Sequence, residues 1–150
     1  MGRFDDQVAI VTGAGSGTGA AIATQLAKEG ASVACTDLDG AEETAALLGE
    51  RGRAVRLDVA DAGSVARLMA EVRETYGRLD ALFNSAGVDG MVRPLTDLSE
   101  ELTVAERTCR VNFLRPFDTG RAVCYSDQPA ESAGPRLGAG FQDAAREARG

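Results

Sequence analysis

Apolar residues come in short runs that alternate with stretches of helical periodicity over most of the chain. The short runs, rich in β-branched residues and ended by glycine or a polar residue, indicate buried strands. Between them, apolar residues recur at a spacing of about 3.6 residues, which indicates helices with one buried face. The predicted strands are 8–12, 32–36, 54–57 and 79–83, and the predicted helices are 18–28, 41–48 and one that begins after a cap at Asp61.

Strand and helix alternate in this order with short links. This alternation is typical of an α/β fold, a Rossmann-like doubly wound parallel sheet, because a helix provides the crossover that two parallel strands need. Right-handed crossovers place the turn after the first strand at the carboxyl edge of the sheet, where such sheets bind ligands. We therefore expect any binding site at that edge.

The chain changes in character towards its carboxyl end. A long helix is predicted over residues 100–123, after which large apolar residues become rare. Such a segment buries too little apolar surface to offset the conformational entropy lost on folding. We therefore predict a nucleotide-binding domain at 1–123 and an atypical, disordered tail at 124–150.

Composition and charge disfavour several classes of function. The net charge of −7 argues against nucleic acid or a membrane surface as a partner, and no apolar run is long enough to span a bilayer. The chain has no histidine, which removes Ser-His-Asp and Cys-His catalysis and most transition-metal sites, so we expect no metal. The scattered cysteines Cys35, Cys109 and Cys124 favour reduced thiols and a cytoplasmic location over a disulfide framework.

The segment VTGAGSGTG, residues 11–19, joins the first predicted strand to the first predicted helix. Its glycines let the backbone turn sharply and approach a ligand, while the N–H groups at the start of the helix face an anion. Two registers fit: 15–20 matches G-x-G-x-x-G/A, and 12–19 matches T-G-x-x-x-G-x-G. Both place a pyrophosphate at the same helix N-terminus, and a plain turn between strand and helix is the alternative.

A carboxylate follows the second predicted strand. Asp37 stands where an acidic residue can accept hydrogen bonds from both ribose hydroxyls of an adenosine. Its charge would repel a 2′-phosphate, and no basic residue stands at Ser16 or Leu38, so we predict NAD rather than NADP as the cofactor. Taken alone, Asp37 is equally consistent with a solvated loop acid.

Four motifs in order resemble those of the short-chain dehydrogenase/reductase family over residues 4–123. They are T-G-x-x-x-G-x-G; Asp58-Val59, which resembles the family's adenine-contacting Asp; the turn Asn84-Ser85-Ala86-Gly87; and Val111-Asn112, which resembles the helix asparagine of the family's catalytic tetrad. Ser85 departs from the second Asn of the family's N-N-A-G turn. Against the family's usual seven strands, the predicted sheet of about four strands is incomplete.

The predicted site combines these motifs with the charge argument at Asp37. The predicted cofactor contacts are Gly13, Ser16, Gly17, Thr18, Gly19, Asp37, Leu38, Asp58, Val59, Asn84, Ala86 and Gly87, and the predicted catalytic residue is Asn112. Pro116, inside the predicted helix, cannot donate to the carbonyl of Asn112, and the resemblance implies that this carbonyl holds a water in a proton relay. A simple helix end at Asn112, and a turn role for Asn84, remain the alternatives.

The resemblance implies hydride transfer between NAD(H) and a small alcohol or ketone, for which the family uses a Ser and a Tyr-x-x-x-Lys pair. A phenol with its ordinary pKa near 10 is a poor base at neutral pH without a nearby cation. Tyr76 and Tyr125 are followed four residues later by Asp80 and Pro129, and Lys28 is the only lysine. Whether the chain is an enzyme is therefore open at this point.

Two interpretations follow for the chain as given. The first is a truncated or frameshifted family member that is inactive alone, since residues 124–150 have the Arg, Ala, Gly and Pro bias of a shifted frame in a GC-rich gene. The second is a non-catalytic NAD(H)-binding module. The family oligomerises partly through its C-terminal half, which argues against a stable oligomer here. A methyltransferase, which also uses a Gly-rich turn, is disfavoured by the T-G-x-x-x-G-x-G spacing.

Overall fold

The computed structural model describes residues 2–88 and 111–112. Strand and helix alternate along them. The strands are β1 (Val8–Thr12), β2 (Ser32–Asp37), β3 (Gly52–Arg56) and β4 (Ala81–Asn84), and the helices are α1 (Gly17–Lys28), α2 (Ala41–Leu48) and α3 (Ala62–Tyr76). A single 3-10 turn, Gly49–Arg51, joins α2 to β3 in this part of the chain.

The strands form one parallel sheet in the order β3-β2-β1-β4. The chain moves outward from β1 to β3 and then returns to place β4 on the other side of β1. The strand order therefore reverses beside β1, and the crevice at the carboxyl ends of β1 and β4 is the position at which such sheets bind ligands. The predicted fold class is confirmed.

The central strands are buried on both faces, as expected for a parallel sheet covered by helices. On one face, Val11 and Val33 belong to a core cluster that also includes residues of α1 and α2. On the other, Ile10 clusters with Leu57 and Leu68, the latter from α3. The two clusters fix the sheet between helical layers, so the carboxyl edge is held on a rigid scaffold.

The start of α3 follows the predicted cap. The Asp61 carboxylate accepts hydrogen bonds from the backbone N–H groups of Gly63 and Ser64, at 3.1 and 2.9 Å. A side-chain cap of this kind stabilises a helix by about 1 kcal/mol. The capping role predicted for Asp61 is therefore observed.

The structure confirms the predicted bounds of β1 and α2, and it changes those of β3 and β4. β3 begins at Gly52 and ends at Arg56, whereas the apolar run predicted 54–57. In the described structure β3 pairs only with β2, and an edge strand of this kind needs no continuous apolar run. Because Arg53 and Arg56 interrupt the apolar run, the sequence pattern did not predict the full length of the strand. β4 begins at Ala81 rather than at residue 79.

Two predictions fall largely beyond the described residues. Of the helix predicted over 100–123, only Val111 and Asn112 are described, and they lie in a π-helical turn. Pro116 and the predicted tail at 124–150 lie outside the described residues. Among the helices that are described, none is long and apolar enough to cross a membrane.

Candidate functional site

An open cavity of about 580 Å³ lies at the carboxyl edge of the sheet. Its size falls within the range typical of small-molecule and cofactor sites. It is lined by Gly13, Ser16, Gly17, Thr18, Gly19, Thr36, Asp37, Leu38, Leu57, Asp58, Val59, Ala60, Ser85, Ala86, Gly87, Val88 and Val111. Segments that are distant in sequence thus meet at one place.

Most of the predicted cofactor contacts lie on this wall, and Asn84 does not. Asn84 ends β4, where it pairs with Thr12 in the register of the sheet. The lining residues that the sequence analysis left out, such as Thr36 and Leu57, directly precede predicted contacts at strand ends. Their position directly before Asp37 and Asp58 is the sequence signal from which they could have been predicted.

The N-terminus of α1 faces the cavity without a capping side chain. Ser16, the residue before the helix, is extended at φ −160° and makes no side-chain cap bond, and the first turn holds no acidic residue. α2, in contrast, has Glu42 and Glu43 in its first turn. A bare, acid-free helix start presents N–H groups and the positive end of the helix dipole, which together attract an anion.

Glycines allow the Gly-rich turn to approach its neighbours closely. A Cβ on Gly13, which has a φ of +69°, would lie 2.7 Å from the backbone of Ala86. A Cβ on Gly19 would lie 2.0 Å from the carbonyl oxygen of Gly13. Gly17, with a φ of +53°, has nothing within 4 Å of such a position, so that side of the turn is open for a ligand.

The hydroxyl of Thr12 ties the end of β1 to the turn after β4. Its oxygen accepts hydrogen bonds from the backbone N–H groups of Ser85 and Ala86, both at 3.1 Å. The side chain is buried. Thr12 was not among the predicted contacts, and its role is to position the 85–87 turn against Gly13.

Two carboxylates stand at the ends of β2 and β3. Asp37 is half-buried and accepts hydrogen bonds from the backbone N–H groups of Gly15 and Leu38, at 2.9 and 2.7 Å. The carboxylate of Asp58 accepts from the N–H of Ala60 at 2.8 Å. Both side chains are held by backbone donors, so each presents its remaining acceptor positions in a fixed direction.

Asn112 lies against the loop that follows β4, although it is not on the cavity wall. Its Oδ1 accepts from the N–H of Val88 at 2.9 Å, and its Nδ2 donates to the carbonyl of Val88 at 3.0 Å. A Cβ on Gly87 would lie 3.4 Å from Oδ1. The amide therefore holds the π-helical turn to the loop that follows β4.

Tyr76, the tyrosine that the structure describes, is not placed to act at the cavity. It lies at the end of α3, packed against the apolar cluster around Ile10. Burial raises the pKa of its hydroxyl, which makes it a weaker source of phenolate than an ordinary tyrosine.

Comparison with known proteins assigns the chain to a family. Residues 7–130 match the family described as short chain dehydrogenase. D-threitol dehydrogenase of Mycolicibacterium smegmatis is 50% identical over 126 residues, which are 81% of this chain and 47% of that enzyme. Galactitol 2-dehydrogenase of Agrobacterium fabrum is 36% identical over 123 residues, again 81% of this chain and 47% of that enzyme.

A solved structure gives the same result. A short-chain dehydrogenase/reductase from Brucella melitensis, described as a glucose/ribitol dehydrogenase, has a TM-score of 0.76 and 29% identity, over 83% of this chain and 53% of its own. The chain thus spans about half the length of the relatives it matches. By its sequence match, its parallel sheet and its Gly-rich turn, the chain belongs to the short-chain dehydrogenase/reductase family.

Proposed function

We propose that the cavity binds NAD(H) and that the chain is the cofactor-binding part of an NAD-dependent dehydrogenase acting on a small alcohol or ketone. The observation that carries the proposal is the bare N-terminus of α1 in the same cavity as the Asp37 carboxylate. The named relatives are dehydrogenases of D-threitol and galactitol, which supports a hydroxyl-bearing substrate.

The residues on the cavity wall suit the parts of a dinucleotide. The N–H groups at Ser16–Gly19 would hold the pyrophosphate, for which the open side of Gly17 leaves room. Asp37 would accept from the adenosine ribose, and Asp58 and Val59 would contact the adenine. Ala86 and Gly87 would lie along the cofactor on the β4 side, with Asn84 supporting their turn. When bound, NAD(H) supplies the hydride acceptor or donor.

Asp37 also favours NAD over NADP. Its carboxylate would stand next to a 2′-phosphate, and like charges at that distance repel strongly where water is partly excluded. Leu38, the next residue on the wall, offers the phosphate no positive charge. We therefore expect NAD to bind more tightly than NADP.

We further propose that these 150 residues by themselves bind NAD(H) without turnover. The sequence holds no Tyr-x-x-x-Lys pair to move the proton of an alcohol, and the described tyrosine, Tyr76, is partly buried against the apolar cluster around Ile10, away from the cavity. Asn112 would position the loop after β4, and its carbonyl would hold a water. A non-catalytic NAD(H)-binding module is the second candidate. The lack of a Tyr-x-x-x-Lys pair in this sequence favours it as well.

Thermal unfolding with increasing NAD tests the binding site. A ligand at 100 times its Kd stabilises a protein by about 2.7 kcal/mol, so the Tm should rise with NAD and rise less with NADP. Ser16→Asp should remove the NAD effect by placing a carboxylate at the pyrophosphate position. Ser16→Asn is the matched control, because Asn caps a helix about as well as Asp without the charge. A Tm insensitive to NAD would refute the proposal.

A turnover assay tests the proposal that the chain alone binds NAD(H) without catalysis. NADH oxidation is followed against ketones, and NAD reduction against polyols, with Asn112→Ala in parallel. We expect no turnover from the chain alone. Turnover that Asn112→Ala abolishes would show a complete enzyme and overturn the proposal of binding without catalysis.

A further inference from the structure

The carboxylate of Asp37 is already engaged before any ligand is considered. One oxygen accepts from the N–H of Gly15, in the Gly-rich turn, and the other accepts from the N–H of Leu38, in its own loop. Hydrogen bonds to a charged acceptor are about twice as strong as those between neutral groups. Asp37 thus joins the loop after β1 to the loop after β2.

The two loops also pack backbone against backbone. A Cβ on Gly15 would lie 2.4 Å from the carbonyl oxygen of Asp39 and 2.8 Å from Oδ2 of Asp37. A Cβ on Gly40, which has a φ of +82°, would lie 3.4 Å from the carbonyl oxygen of Gly15. The N–H of Ala14 donates to the carbonyl of Thr36 at 3.0 Å. Gly15 is therefore held from several sides by the loop that carries Asp37.

We propose that Asp37 is a positioning residue for the Gly-rich turn, in addition to its proposed contact with the ribose. By holding the N–H of Gly15, it fixes the backbone directly before Ser16 and Gly17, where α1 begins. The turn is then already ordered in the free protein, so cofactor binding loses less conformational entropy. The consequence for cofactor affinity rests on the proposed function, whereas the positioning of the turn does not.

The positioning role and a purely electrostatic role predict opposite effects on anion binding. If Asp37 acted only through its charge, its removal would strengthen the binding of an anion at the start of α1, because a repulsive carboxylate would be gone. If Asp37 positions the turn, its removal weakens that binding. Inorganic pyrophosphate, which has no ribose, distinguishes the two.

Amide hydrogen exchange of the NAD-free full chain, resolved by NMR, tests the positioning role directly. In Asp37→Ala we expect the N–H of Gly15 to exchange roughly ten- to a hundredfold faster, the range for loss of a hydrogen bond to a charged group. Asp39→Ala is the matched control, since Asp39 is an exposed carboxylate in the same loop. Unchanged exchange at Gly15 in Asp37→Ala would overturn the proposal.

Asp37→Asn keeps the test valid should the alanine variant not fold. Its side chain has one acceptor oxygen for two donors, so the N–H of Gly15 or of Leu38 must exchange faster, and no change at either would overturn the proposal. Calorimetric titration of Asp37→Asn with inorganic pyrophosphate should show weaker binding than in the unmodified chain, and tighter binding would overturn it. If the unmodified chain binds neither NAD nor pyrophosphate, the proposed function fails while the exchange rates still decide the role of Asp37.

Discussion

Glycines with the same backbone conformation have different reasons to be glycine. Gly13 and Gly77 have nearly equal φ angles of +69° and +70°. A Cβ on Gly77 would meet nothing within 4 Å, whereas one on Gly13 would lie 2.7 Å from the backbone of Ala86. Gly77 is therefore required only for its left-handed backbone conformation. Gly13 is required for that conformation and also for the close packing of the Gly-rich turn on the turn after β4.

This difference predicts unequal costs of substitution. Gly77→Ala should lower the free energy of unfolding by about 1 kcal/mol, the cost of a left-handed conformation for an L-residue. Gly13→Ala should cost at least about twice as much, because Ala86 backbone must move as well. Urea denaturation of both variants measures the difference. Equal losses of unfolding free energy in the two variants would show that the close approach of Ala86 adds no cost to the substitution of Gly13.

At the residue scale, most residues that the sequence predicted as cofactor contacts line the cavity, but the hydrogen bonds that join the loops were not predicted. The glycines, Asp37 and Asp58 could be located because each follows a strand with a recognisable pattern. The hydrogen bonds that Thr12 accepts from the turn after β4, and that Asp37 accepts from Gly15, join residues far apart in sequence. No local pattern encodes such contacts, since they depend on how the loops pack after the sheet has formed.

At the scale of elements, Asp80 fixes β4 to β1 at the amino edge of the sheet. Its carboxylate accepts from the N–H of Val8 at 2.8 Å, and its own N–H donates to the carbonyl of Val8 at 2.9 Å. Arg78 donates two hydrogen bonds to the same carboxylate, at 2.6 and 2.9 Å. The link holds the first residue of β1 beside the start of β4.

The link should make stability depend on pH. The hydrogen bonds from Arg78 hold the pKa of Asp80 below its ordinary value, so the folded state favours the charged form. Its contribution is therefore present above the ordinary pKa of about 4 and is lost as the pH falls through the lowered value. Asp80→Asn should flatten the acid side of the unfolding profile, and Asp39→Asn, an exposed acid, is the control. An equal slope in Asp80→Asn and the unmodified chain would contradict this role.

Elements with a strong local signal could be predicted, and the edge of the sheet could not. β1 and α2 have the predicted bounds, and Asp61 caps α3 as expected, because an apolar run and a capping residue determine such elements locally. β3 is exposed along part of its length and carries Arg53 and Arg56. Its extent is set by pairing with β2, which the sequence of β3 alone does not show.

For the whole molecule, the sequence predicted the fold class and the family, because four motifs stand in the order that a doubly wound sheet requires. The structure adds that these motifs converge on one cavity beside the reversal of strand order. Substrate identity did not follow from either. The described wall of the cavity consists of strand ends, the start of α1 and the turns beside them, which in the proposed function contact the cofactor. Substrate selectivity depends on groups that contact the substrate instead.

Cys35 offers a measure of how the whole sheet opens. It lies in the middle of β2, pairs with Val11 and Ala54 on either side, and is fully buried. Burial raises the pKa of its thiol to about 11, so little reactive thiolate forms even near pH 8. Alkylation of Cys35 therefore requires the sheet to open.

We expect iodoacetamide to label Cys35 far more slowly in buffer than in urea, with peptide mapping by mass spectrometry to separate it from Cys109 and Cys124. If opening is global and NAD binds only the folded state, NAD at 100 times its Kd should slow the labelling about a hundredfold. Labelling in buffer as fast as in urea would contradict the burial of β2. If saturating NAD does not change the rate of Cys35 labelling, β2 opens while NAD stays bound. The NAD site and the sheet would then not unfold as one unit.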